Sequence, residues 1–150
     1  MAELPVERLL MSEVLQKVSN AKTKKEKIEL LNKYKTPALQ SILIWNFDDS
    51  VVSMLPEGDV PYTPNEAPVD TEHTRLLHEY RILYNFVKGG NDGLSGNKRE
   101  TMFIQLLESL HQDEAKLLCM VKDKLVGKKY KITKACVEEA YPEIKWGNRS

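Results

Sequence analysis

Three histidines, His73, His78 and His111, and two cysteines, Cys119 and Cys136, are the side chains of this sequence best suited to hold a metal or to act as base or nucleophile. Their spacing argues against each role. His73 and His78 lie five apart, about 140° around a helix, so they do not converge on one ion as an i, i+4 pair would. His111 could join the cysteines only through tertiary folding, and neither C-x-x-C nor H-E-x-x-H occurs. No metal and no cofactor is expected. Each cysteine sits within a helical apolar pattern, as a small core residue of a reducing compartment does, with no neighbouring motif to hold a thiolate. A single bridge between them is the alternative.

Other reactive patterns are equally sparse. No G-x-S-x-G is present, and Asp48/Asp49 and Glu138/Glu139 are adjacent pairs that point to different faces and solubilise. The loop GGNDGLSGN lacks G-x-x-x-x-G-K-[ST] and follows no predicted strand, so its glycines end one helix and allow a reversal before the next. An enzyme is not expected. Lysines are more informative. Lys22, Lys24, Lys25 and Lys27 crowd the start of a predicted helix, where positive charge opposes the helix dipole and can mark an anion-binding end. Lys122, Lys124, Lys128, Lys129, Lys131 and Lys134 surround the turn GKKYK, with Tyr130 available to stack on a base, and form the candidate nucleic-acid surface.

The stretch LPEGDVPYTPNEAPVD, Leu55 to Asp70, holds four of the seven prolines. Each proline turns the residue before it away from helix, so the favoured backbone is extended or polyproline II. So long an irregular segment in a compact chain is functional or disordered. Val60, Pro61, Tyr62, Pro64 and Val69 supply anchors with which it either straps the helices or docks on a protein partner; a solvated linker is the remaining reading.

The elements that would position these residues are helical. Pro5 suits a first turn, and Val6, Leu10, Val14 and Val18 trace a stripe over about 5–19. Thr23 with Glu26 caps a second helix near 24–35, and Thr36 followed by Pro37 starts a third through Phe47. SVVSML is too short to assign. Thr71 caps a helix in which Leu76, Tyr80, Leu83, Tyr84 and Val87 share a face, stopped by Gly89 and Gly90. Asn97 with Glu100 opens another, carrying Phe103, Leu106, Leu107 and Leu110. The next begins near Gln112, carries Ala115, Leu118, Val121 and Leu125, and ends at Gly127; the last runs from about Thr133 to Tyr141. The expectation is an all-α single domain of about seven short helices: a three-helix part at 1–47, the acidic proline segment at 55–70, and a helical part at 71–150.

Composition fits that picture. Apolar residues are 41% and charged residues 29%, and 22 basic side chains balance 22 acidic ones, so no global field steers the chain to nucleic acid. Residues 48–72 carry seven carboxylates and no lysine or arginine, so the polarity is regional. Glu3 and Glu7 stand where a secretion signal would be basic, and no apolar run reaches the length of a membrane span, so the chain is expected to stay where it is made.

Two stretches resemble known families. AKTKKEKIELLNKYKTPALQSIL, Ala21 to Leu43, resembles the helical N-terminus of phage ATP-dependent DNA ligases; the K-x-D-G motif is absent, so ligase activity does not follow. NKRETMFIQLLESLHQDEAKLLCMVKDK and KYKITKACVEEAYPEI, with the overall layout, resemble a family of small proteins of T-even-type tailed phages, including cyanophages, to which no activity is attached. That resemblance implies a protein acting in the host cytoplasm or carried in the virion. The functional expectation is a non-enzymatic adaptor for a protein partner in replication or transcription. A virion structural component and a DNA-binding accessory factor are the alternatives.

Overall fold

The computed structural model describes residues 9–65 and 74–149, so the roles expected of Pro5, Val6, Val69, Thr71 and His73 lie outside the described residues. The fold is the all-α single domain expected. Its elements are α1 (Met11–Asn20), α2 (Lys24–Lys33), α3 (Pro37–Phe47), α4 (Leu76–Glu79) running into a 3-10 turn (Tyr80–Phe86), α5 (Gly96–Ser109), α6 (Gln112–Lys122), α7 (Val126–Lys129) and α8 (Lys134–Ala140). Among the described residues β pairing is confined to two isolated bridges, Ser53 with Val87 and Thr74 with Leu110. No helix among them is long and apolar enough to cross a membrane.

Helix starts follow their capping side chains. Thr23, Thr36 and Thr133 each accept, through Oγ1, the N–H three residues on, from Glu26, Leu39 and Cys136. Each satisfies one of the four N–H groups a helix start leaves unpaired. α3 is apolar nearly all round, as a helix enclosed on several sides must be. It buries Ala38, Leu39, Ile42, Leu43 and Trp45, and it touches α4, the 3-10 turn and α6. α6 reaches α1 and α5 in turn, so one apolar core runs through the fold. Phe86 meets Phe103 edge to face at 5.1 Å, joining the 3-10 turn to α5. α2 buries only Leu31 and lies outside, against α1 and α8.

Four expectations need correction. The first helix, expected from about 5 and through Leu10, begins at Met11, because Leu10 is extended at φ −71° and ψ 152°. The helix over 76–87 is α-helical for one turn only and then tightens to 3-10. Three residues per turn align Tyr80, Leu83 and Phe86 on the inner side, and Tyr84, expected on the buried face, is 54% exposed. α5 starts earlier than Asn97, because Ser95 Oγ accepts the Lys98 N–H and takes the cap. α6 stops at Lys122 instead of running through Leu125, because Lys124 is left-handed at φ 59°. The Leu125 N–H then bonds the Met120 carbonyl and the Lys124 N–H that of Val121, a Schellman ending made with lysine in place of glycine. SVVSML is extended, with the Lys88 N–H donating to Val52 O and the Met54 N–H to Phe86 O.

Candidate functional site

The proline segment, over its described part, is a strap laid on α5 and α6. Lys122 Nζ donates to Pro56 O at 2.8 Å and Gly58 O at 3.0 Å, Asp123 accepts the Gly58 N–H, and Glu108 accepts the Thr63 N–H. Val60 and Tyr62 are half-buried against the core, while Pro61 and Pro64 are exposed. Cavities flank the strap on both sides, about 260 Å³ toward Phe103 and Ile104 of α5 and about 520 Å³ toward Cys119 and Met120 of α6. Two of the anchors expected to meet a partner are thus turned onto this chain's own helices.

The lysine surface is also redistributed. Lys122 is 2% exposed, bonded to the strap and to Asp123 at 2.7 Å. Lys124 Nζ donates to Trp45 O and Asp48 O at the end of α3, and burial lowers its pKa against the opposing pull of Asp49 and Asp48. Tyr130 is 4% exposed. These three side chains hold the fold and are withdrawn from any nucleic acid. Lys128, Lys129 and Lys131 are exposed and Lys134 is half-exposed, with its Nζ 5.2 Å from the centre of the Trp146 ring.

Chemistry is discouraged at the remaining candidates. Cys119 and Cys136 are both free thiols, so the alternative of a bridge falls. Burial pushes Cys119 up to about 11 and raises Cys136 too, which keeps both protonated and poorly nucleophilic. His111 Nδ1 accepts the Asp113 N–H and caps α6, and His78 is exposed. The glycine loop already has occupants. Arg99, 4% exposed, donates through Nε to Asn85 O and through a terminal nitrogen to Asn91 O and Leu94 O. Asp92 accepts the Gly89 N–H, a donor a phosphate would need.

A groove of about 450 Å³ lies between α3 and the 3-10 turn. Ile44, Trp45, Val51, Leu83 and Val87 form its apolar floor and Tyr84 stands at its edge. Arg81, Lys88 and Arg149 are its charged lining residues, and among the described residues no carboxylate lines it. Arg149 is tied to Asp48 at 2.9 Å, whereas Lys88 is exposed and has no ion-pair partner among the described residues. Val52 and Met54, on the extended segment that pairs with Val87, are 43% and 40% exposed. The Trp45 indole N–H in the groove wall is buried and has no hydrogen-bond partner among the described residues, a cost of about 1–3 kcal/mol.

Spacing marks Tyr80, Leu83, Tyr84 and Val87 only as one face of a helix, and no motif marks the groove as a site. The 3-10 geometry that exposes Tyr84 hides behind a pattern that also fits an α-helix, and the rim unites Arg81, Lys88 and Arg149 from distant parts of the chain. A protein-family model described as a family of unknown function matches residues 14–128, from α1 into α7. No curated protein and no solved structure matches the chain.

Proposed function

The chain belongs to that family, DUF6433, and we propose that it is a non-enzymatic adaptor of a tailed phage. Its groove between α3 and the 3-10 turn docks an acidic segment of a partner protein that presents an apolar side chain. One observation carries the reading: the exposed Tyr84 lines an apolar groove whose charged lining, among the described residues, is wholly cationic. A single exposed apolar residue needs no explanation, but an aromatic side chain at the edge of a concave apolar floor is the usual mark of an interaction surface. A helix or strand bearing an aromatic or aliphatic residue would fill the floor, and its carboxylates would meet Arg81 and Lys88 at the rim.

Selection from a displayed random peptide library tests this. Peptides retained by the wild-type chain should combine an apolar residue with flanking Asp or Glu, and Arg81→Glu with Lys88→Glu should weaken them at least about tenfold, about 1.4 kcal/mol. Retained peptides whose affinity is indifferent to both reversals would remove the groove as the docking site.

A further inference from the structure

Two lysine clusters separated by a hundred residues meet on one face of the molecule, well apart in sequence and lining from the groove. Lys22, Lys24, Lys25 and Lys27 lie at the start of α2, and Lys128, Lys129, Lys131 and Lys134 run from α7 into α8. Three contacts join them. Lys27 Nζ donates to the Lys131 carbonyl at 2.5 Å, the Lys131 N–H donates to Ser19 Oγ at 2.8 Å just before the first cluster, and Lys24 pairs with Glu139 at 2.7 Å. Over residues 22–33 and 126–140 the carboxylates are Glu26, Glu29, Glu138 and Glu139, four against nine lysines. In a chain whose charges balance overall, gathering like charges on one face is electrostatically unfavourable, and a polyanion relieves it.

We infer that this composite face binds the phosphate backbone of double-stranded nucleic acid. Lysine ammonium groups act as flexible point charges, suited to a row of phosphates and indifferent to base identity. The aromatic residues here cannot serve an unstacked strand, since Tyr130 is buried and Lys134 covers the Trp146 ring. Contact is therefore with the duplex exterior, without sequence readout. The sequence marks the α2 lysines and the basic turn as separate clusters; the fold joins them, and three residues of the turn, Lys122, Lys124 and Tyr130, drop out.

The test is fluorescence anisotropy of the full chain with a labelled duplex of about 20 base pairs over a salt series. Expected is an affinity that falls with salt at a log–log slope of about −4, reduced in magnitude by about 2 in Lys25→Ala/Lys128→Ala, whose side chains are exposed and outside the structural contacts. Lys88→Ala in the groove should leave the slope unchanged. No binding at the lowest salt, an unaltered slope in the double variant, or tighter binding to single strand or to phosphatidylserine vesicles overturns the inference. Should the double variant lose its helical circular dichroism, acetylation of the wild-type chain decides: duplex must protect Lys22, Lys25, Lys128 and Lys129, and unchanged reactivity overturns it.

Discussion

Glu114 is fully buried and does what a solvent molecule or a capping serine does elsewhere, for two helices at once. Its Oε2 accepts the Met11 N–H at 2.9 Å and its Oε1 the Leu76 N–H at 3.0 Å, at the starts of α1 and α4. A carboxylate is suited to both because helix starts are electropositive. Glu114→Gln turns a donor toward one of those N–H groups and should lower stability by about 2–3 kcal/mol, seen as a melting temperature about 5–10 °C lower. In the sequence Glu114 reads only as a first-turn acid of α6; its long-range partners leave no local trace. Lys124 is equally silent, a left-handed lysine whose ammonium is anchored on Trp45 O and Asp48 O. Lys124→Met keeps the unfavourable backbone and loses both bonds, whereas Lys124→Gly loses the bonds but relieves roughly 1 kcal/mol of strain. Urea unfolding should therefore find the methionine variant the less stable of the two, although glycine removes more of the side chain.

At the scale of elements, what was legible and what was not divides by how local the cause is. The caps at Thr23, Thr36 and Thr133 are three-residue patterns, and each helix begins where its threonine places it. Asn97 with Glu100 imitates such a pattern, but Ser95 comes first along the chain and takes the cap. The 3-10 turn was unreadable because the apolar residues over 76–87 satisfy periods of 3.0 and 3.6 together, and burial of Leu83 and Phe86 with Tyr84 outside settles it. That turn also needs Gly90, where a Cβ would lie 2.0 Å from the Tyr84 carbonyl oxygen. Gly90→Ala should cost about 3 kcal/mol and blunt the groove, measured as loss of both thermal stability and selected-peptide binding.

For the whole molecule, the fold class followed from amphipathic periods, while the candidate site did not, because its residues converge from three regions. The end of the chain is fastened by one such long-range contact. Burial works against ionisation of Asp48, yet hydrogen bonds from Ser50, the Gly147 N–H and Arg149 outweigh it and hold the carboxyl at about 2. The unfolded chain takes up this proton first, so the contribution, on the order of 2 kcal/mol, is complete above pH about 4 and lost as pH falls toward 2. Acid titration followed by Trp146 fluorescence should show that loss, and Asp48→Asn should flatten it.

The strap over 55–65 hangs from one ammonium and two carboxylates, with open space along both edges. Its amides should exchange with deuterium through a shallow, sub-global opening, long before those of α3 or α6. Lys122→Met should hasten that exchange and speed alkylation of the half-buried Cys119. The segment read from its prolines as strap, docking strip or linker would then act as a partial shutter over one thiol.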